Sequence, residues 1–151
     1  MNKKILSFIY CKKNKKFLIL KTGKSNEKVH GKSKWYTVTG SVEEKESCEG
    51  AVRRELFEET GLKAREVRNL KWGCRYEWQG KIHEELYFIS FVDSELVRPD
   101  NLEVINFRWL TIDEFVELIE WLGDKNELKS MLRSGLNKRT NSHSVKIDNY
   151  G

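Results

Sequence analysis

Three glutamates, Glu55, Glu58 and Glu59, lie near the end of a segment whose pattern predicts a helix over residues 47–60. At about 100° per residue, Glu55 and Glu59 fall about 20° to either side of Cys48, inside the apolar stripe that such a helix would bury. The last turns of a helix also disfavour acids, because the helix dipole is negative there. Carboxylates in these positions require a compensating positive charge from a metal ion or an arginine. An ordinary charged helix end with solvated glutamates is the alternative.

Charge is distributed unevenly along the chain of 151 residues, whose formal net charge is +5. Residues 1–39 hold eleven lysines and one acid, for a net charge of +10, whereas residues 40–62 carry −4 and residues 63–151 carry −1. Lysine-rich segments attract phosphates, and clustered carboxylates attract divalent cations. The distribution therefore favours a phosphorylated ligand that is bound together with a metal.

The segments around the glutamates predict an α/β fold with a largely antiparallel or mixed sheet. The predicted strands cover residues 5–10, 17–20, 35–39, 66–78, 86–92 and 104–110. A long loop is expected over residues 21–34, and two further helices are expected, one after Thr111 and one over 127–133. Gly61 is a suitable left-handed cap for the helix that carries the glutamates.

Length and composition predict one domain over residues 1–134, followed by a polar segment over 135–151 that is expected to be a mobile tail or a loosely docked arm. No apolar run is long enough to span a membrane or to form a signal-peptide core. Cys11, Cys48 and Cys74 are widely spaced and are expected to be reduced thiols. These features predict a cytoplasmic protein.

The residues around the glutamates form a longer motif. Gly40 is followed after five residues by Glu46 and, after seven more, by the run Arg54-Glu55-Leu56-Phe57-Glu58-Glu59-Thr60-Gly61-Leu62. This motif over 40–62 matches every fixed position of the Nudix box, so the chain resembles a Nudix hydrolase. The resemblance implies an α/β/α sandwich with a mixed β-sheet. It also implies a Mg²⁺-dependent enzyme, with Mn²⁺ as a possible substitute, in which water attacks phosphorus of a nucleoside diphosphate derivative.

The resemblance also implies roles for individual residues. Glu55, Glu58 and Glu59 would hold the metal, and Gly40 would offer its backbone carbonyl to the metal. One of the glutamates, with Glu58 as the candidate, would also orient or deprotonate the water. Arg54 would hold the carboxylates in place through ion pairs, with Glu46 in support. The spacing agrees, because residues i and i+4 are neighbours on one helix side and carboxylates are hard oxygen ligands suited to Mg²⁺.

A further acidic residue, Glu103, lies just before the predicted strand over 104–110. The segment from Glu103 to Leu110 resembles a late segment of the family, so Glu103 is a candidate additional metal ligand or general base. Glu84 and Glu85 are rivals for this role, although a solvated strand start is the favoured interpretation of each.

The run Trp35 to Glu43 resembles the segment that enters the box in bacterial dihydroneopterin triphosphate and (d)NTP diphosphatases. This resemblance favours a small nucleoside or pterin triphosphate, cleaved between the α and β phosphates to a monophosphate and pyrophosphate. Trp35, Lys34 and Tyr76 are the candidate substrate contacts, with core packing as the alternative for the aromatic residues. Further aromatic and basic candidates are Tyr36, Trp78, Lys24, Lys28 and Lys32.

Two other functions remain open at this point. One is an RNA 5′-end or dinucleoside polyphosphate pyrophosphohydrolase, and the other is a non-catalytic nucleotide-sensing module. The basic first quarter suits RNA, but no RNA-binding motif accompanies it, so nucleic acid is the less favoured partner. No box carboxylate is missing, which favours an enzyme. No membrane partner is expected, and the oligomeric state is left open.

Overall fold

A computed structural model describes residues 2–23, 33–137 and 146–150. In these ranges the strands are β1 (Asn2–Cys11), β2 (Lys16–Thr22), β3 (Trp35–Tyr36), β4 (Val38–Ser41), β5 (Glu66–Trp78), β6 (Lys81–Val92), β7 (Val104–Leu110) and β8 (Lys146–Tyr150). The helices are α1 (Cys48–Thr60), α2 (Ile112–Leu118) and α3 (Lys125–Leu136). None of the helices in the described ranges has the length and apolar character that crossing a bilayer requires.

The strands form one mixed sheet in the order β3-β2-β1-β6-β5-β8, with β4 added beside β1 and β7 beside β2. The β1–β6 and β5–β8 pairs are parallel, and the other pairs are antiparallel. Strand β1 exchanges partners along its length: residues Ile9–Cys11 pair with β2, whereas Lys4–Ser7 pair with β4. The sheet therefore divides beside β1, and this division leaves room for a cavity.

Helices cover both faces of the sheet, because successive side chains of a strand point to opposite faces. On one face Leu6 packs in a buried cluster with Leu128 and Leu132 of α3. On the other face its neighbour Ile5 packs with Ala51 and Val52 of α1. The α/β class and the mixed sheet predicted from the sequence are confirmed by this arrangement.

Helix α1 begins and ends where the sequence predicts. The side chain of Ser47 accepts a hydrogen bond from the backbone N–H of Gly50 at the N-cap. Gly61 ends the helix in the left-handed conformation with φ of 76°. Strand β6 begins earlier than the predicted 86–92, because residues 81–85 continue the antiparallel ladder with β5 beyond the turn at Gly80.

Part of the polar segment over 135–151, residues 135–137 and 146–150, lies within the described residues. Helix α3 continues to Leu136, and residues 146–150 form β8, which pairs in parallel with β5. The indole N–H of Trp72 on β5 donates a hydrogen bond of 2.7 Å to the carboxylate of Asp148 on β8. Lys146 of β8 also forms an ion pair with Glu127 of α3, so this polar segment is docked through contacts to both a strand and a helix.

Candidate active site

Gly40 lies in strand β4 and packs against helix α1. The side chain of Glu55 on this helix lies directly against Gly40. A Cβ atom at Gly40 would stand 2.0 Å from Oε2 of Glu55, so only glycine leaves space for this carboxylate. The side chain of Glu55 is 15% exposed, and that of Glu58 is 56% exposed. Burial and the nearby charge of Glu58 raise the pKa of Glu55, while Arg54 opposes the rise.

Arg54 connects the acidic residues of the motif. Its Nε and Nη2 donate paired hydrogen bonds of 2.8 and 2.9 Å to Glu46, and Nη2 also donates to the backbone carbonyl of Ser41 at 2.9 Å. Its Nη1 lies 3.2 Å from both Glu55 and Glu58. These hydrogen bonds hold the pKa of Glu46 at about 2. The guanidinium thus ties α1 to β4 and sets the positions of two of the predicted metal ligands.

Glu59 is the most deeply buried acidic residue of the motif. Its side chain faces the cavity described below, the residue is 6% exposed, and Oε2 has no hydrogen-bond partner among the described residues. Burial, followed by the charges of Glu55 and Glu103, raises the pKa of Glu59 to about 10. A buried carboxylate oxygen without a donor, beside other carboxylates, has the electrostatic environment that a bound cation relieves.

Glu103 reaches the same cavity from the loop before β7. The carboxylate of Asp100 accepts hydrogen bonds from the backbone N–H groups of Leu102, Glu103 and Val104, which orders this loop. The backbone carbonyl of Glu103 accepts from Gly23 at 2.6 Å, which ties the loop to the end of β2. Burial, with the charges of Asp100 and Glu58, raises the pKa of Glu103.

The carboxylates of Glu55, Glu59 and Glu103 are chemically suited to bind a divalent cation, because they lie close together and one oxygen of Glu59 is buried without a hydrogen-bond partner among the described residues. In the conformation described for residues 2–23, 33–137 and 146–150, however, no three acidic, thiol or imidazole groups stand close enough to enclose an ion. Arg54 lies between Glu55 and Glu58. A cation would therefore be held through movement of the carboxylate side chains.

A cavity of about 680 Å³ joins these residues to a second group of side chains, and its size is typical of a site for a small organic ligand. The residues of the motif that line it are Gly40, Arg54, Glu55 and Glu59, with Glu103 from the later loop. The second group comprises Lys4, Lys34, Tyr36, Cys74, Tyr76, Glu85, Tyr87 and Trp121.

Two of the three predicted substrate contacts, Lys34 and Tyr76, line this cavity, and Trp35 does not. The Trp35 ring instead contacts the charged ends of Lys21 and Arg108, at 5.8 and 5.0 Å. Its neighbour Tyr36 lines the cavity, since neighbouring residues of a strand point to opposite sides. The candidate lysines Lys24, Lys28 and Lys32 lie outside the described residues.

Glu85 is the residue for which the structure departs most from the sequence-based interpretation. It is 8% exposed, in contrast to the solvated strand start that was expected, and burial raises its pKa to about 7. Its neighbour Glu84 forms an ion pair of 2.8 Å with Arg75 and does not line the cavity. His83, Glu85 and Tyr87 occupy every second position of β6 and all are buried, so they share one face of the strand, but their residue types give no signal of that burial in the sequence.

Comparison with known proteins gives a consistent result. The family described as "NUDIX domain" matches residues 3–131. The NAD-capped RNA hydrolase NudC of Actinobacillus succinogenes is 31% identical over 106 residues, which are 70% of this chain and 39% of that protein. The chain spans about two fifths of the length of the curated relatives it matches first, with 39% and 40% covered.

Solved structures share the fold. The dihydroneopterin triphosphate pyrophosphohydrolase of E. coli has a TM-score of 0.67 at 20% identity, over 87% of this chain and 96% of that one. The Ap4A hydrolase of C. elegans has a TM-score of 0.66 at 22% identity, over 88% of this chain and 93% of that one. At these identities the likeness concerns the architecture, and it agrees with the two helical layers around a mixed sheet.

Proposed function

Because the chain belongs to the NUDIX domain family, we propose that it is a Mg²⁺-dependent pyrophosphohydrolase of a small nucleoside or pterin triphosphate. The products would be the monophosphate and pyrophosphate, formed by attack of water on phosphorus. The observation that carries the proposal is Glu59, whose buried and unpaired carboxylate oxygen faces a ligand-sized cavity beside Glu55 and Glu103.

The ligands that would hold the cation are Glu55, Glu58, Glu59, Glu103 and the backbone carbonyl of Gly40. A divalent cation bound there supplies positive charge to the phosphates and acidifies a water molecule; Mn²⁺ would serve as a substitute. Arg54 holds Glu55 and Glu58 in position through its contacts of 3.2 Å. Glu58 or Glu103 would accept the proton of the attacking water. Lys34, whose Nζ lies 4.3 Å from the centroid of the Tyr36 ring on the cavity wall, would contact the substrate.

The proposed substrate class has two supports. The cavity combines the carboxylates with a wall of aromatic side chains, and such a wall suits a planar ring. The run Trp35 to Glu43 also resembles that of dihydroneopterin triphosphate and (d)NTP diphosphatases. We place the activity in the cytoplasm, which suits the free thiols of Cys11, Cys48 and Cys74.

A panel of substrates tests this proposal. It contains NTPs, dNTPs, dihydroneopterin triphosphate, dinucleoside polyphosphates, ADP-ribose and 5′-capped RNA, each with Mg²⁺ or Mn²⁺ and with separate detection of pyrophosphate and phosphate. We expect pyrophosphate from a triphosphate, together with loss of turnover in Glu59→Gln. Glu84→Gln is the matched control, because Glu84 pairs with Arg75 away from the cavity. Absence of turnover with every compound would contradict the enzymatic proposal and favour a nucleotide-sensing module.

A second candidate is hydrolysis of an RNA 5′ end. Two observations favour it: a relative at 31% identity is a NAD-capped RNA hydrolase, and residues 1–39 carry a net charge of +10. Turnover of capped RNA in the panel, without turnover of free triphosphates, would replace the first proposal with this one.

A further inference from the structure

The wall of the cavity away from the Nudix box contains a buried acid that the proposed hydrolysis does not use. Glu85 is 8% exposed, and Oε1 of its carboxylate lies 3.8 Å from Sγ of the Cys74 thiol. No lysine or arginine among the described residues lies within ion-pair distance of it. A carboxylate that is buried in a ligand cavity without a strong donor is suited to accept hydrogen bonds from the ligand.

The register of the sheet places Glu85 well away from the proposed metal ligands. Ser41 of β4 pairs with Lys4 of β1, and Lys4 pairs with Glu85 of β6, so the three residues form one row across the sheet. Two strand spacings separate the backbones of Ser41 and Glu85 by roughly 10 Å. Since Mg²⁺ binds its ligands at about 2 Å, Glu85 belongs to the other end of an extended ligand.

Four aromatic residues line the same cavity as Glu85. Tyr36, Tyr76, Tyr87 and Trp121 all line it, and Tyr36 is stacked with Trp121 at a centroid separation of 6.2 Å. The indole N–H of Trp121 is buried without a hydrogen-bond partner among the described residues. This compartment therefore offers flat apolar walls, one unused donor and one carboxylate.

A carboxylate binds some heterocyclic rings better than others, because the rings differ in the hydrogen-bond donors on their edges. Its two oxygens are both acceptors, so they match an edge on which a ring N–H stands beside an exocyclic amino group. Guanine and pterin rings present that edge, together with a carbonyl acceptor for an indole donor. Adenine presents one amino donor beside a ring nitrogen acceptor, and it leaves one carboxylate oxygen facing a lone pair.

We propose that Glu85 is a specificity-determining residue that binds the edge of a guanine or pterin ring on which the ring N–H stands beside the 2-amino group, while Trp121 donates to the ring. The proposal rests on the proposed function, since it assigns the ring carried by the triphosphate. The electrostatic environment of Glu85 agrees with a role in accepting hydrogen bonds from a ligand. Burial raises the pKa of Glu85 to about 7, and donors from a ligand would favour the ionised form.

Glu85→Gln tests the assignment, because an amide keeps the size of the side chain while replacing one acceptor with a donor. The wild type is expected to bind GMP at least tenfold more tightly than AMP by isothermal titration calorimetry. The variant is expected to lose that preference, because an amide complements the adenine edge. With triphosphates, the KM for GTP or dihydroneopterin triphosphate should rise at least tenfold while kcat changes little.

Two controls accompany this experiment. Glu84→Gln, one residue away and paired with Arg75, should leave the preference unchanged. Trp121→Phe keeps an aromatic ring but removes the donor, and it should weaken GMP binding while a thermal melt confirms folding. A wild type that prefers AMP, or a Glu85→Gln variant that keeps the wild-type preference, overturns the assignment. Calorimetry needs no turnover, so failure of the proposed hydrolysis would be seen separately in the substrate panel.

Discussion

Gly40→Ala is the substitution that most directly tests how the site is built. The added Cβ would lie 2.0 Å from Oε2, 2.2 Å from Cδ and 2.4 Å from Cγ of Glu55, whereas ordinary contact begins at 3.4 Å. Gly40 does not have a positive φ, so alanine is compatible with the backbone there. The side chain of Glu55 therefore has to yield, and its carboxylate must move by more than an ångström.

The expected consequence is loss of activity with little loss of folding. A displacement of about 1 Å in a catalytic group costs on the order of 100-fold in rate, or about 2.7 kcal/mol of transition-state stabilisation. The obstructing atoms belong to the outer part of a single, partly buried side chain and not to the backbone, so the free energy of unfolding should fall by less than ~2 kcal/mol. Steady-state kinetics with the best substrate of the panel and urea unfolding measure the two effects.

Two other glycines supply the matched comparisons. At Gly50 the added Cβ meets Oγ of Ser47 at 3.1 Å, away from the cavity, so Gly50→Ala should keep wild-type activity. At Gly73 it would meet the backbone carbonyl of Glu85 at 2.3 Å, so Gly73→Ala should be clearly destabilised. If Gly40→Ala retains more than half of the wild-type kcat, Glu55 has no positional role and the reasoning is refuted.

Three further substitutions test separate parts of the structure. In the metal-free protein the pKa of Glu59 is raised from 4.5 to about 10, so the free energy of unfolding should fall as pH rises across this window, by at most ~1.4 kcal/mol per pH unit. Urea unfolding with EDTA at several pH values measures this dependence, which Glu59→Gln should reduce. A pH dependence that is unchanged in Glu59→Gln would contradict the raised pKa of Glu59. Arg54→Lys keeps the charge but loses the paired hydrogen bonds to Glu46, so kcat should fall at least tenfold, and wild-type kinetics would show that the fork geometry is unimportant. Asp148→Ala leaves the indole N–H of Trp72 without its acceptor, which should lower the free energy of unfolding by about 1–3 kcal/mol in chemical denaturation. An unchanged free energy of unfolding would show that this hydrogen bond does not stabilise the protein.

The parts of the site that sequence could predict are those carried by one helix. The helical wheel places Glu55 and Glu59 within the buried stripe and Glu58 to one side. The structure has Glu59 at 6% exposure and the side chains of Glu55 and Glu58 at 15% and 56%. Such an inference works because helical periodicity depends on local geometry alone.

The local sequence does not predict which of Trp35 and Tyr36 faces the cavity. A shift of one residue in a strand moves a side chain to the other face, and a strand of two residues contains no alternation from which to read the face. Only the pairing of Trp35 with Lys21, and of Tyr36 with Leu20, determines the outcome. The same limit applies to β8, whose parallel pairing with β5 is not visible in its own composition.

The division of the sheet beside β1 determines which lysines of the basic segment over residues 1–39 lie at the cavity. Eight of the eleven lysines in residues 1–39 fall within the described ranges, yet among these only Lys4 and Lys34 line the cavity. Lys4 has a particular position, since on β1 it is flanked by Ser41 at the start of the Nudix box and by Glu85 in the aromatic compartment. A ligand with its ring at Glu85 and its phosphates at the box would have to pass this lysine. The partner exchange of β1 therefore brings one positive charge between the two ends of the proposed substrate, and net charge alone does not identify which lysine that is.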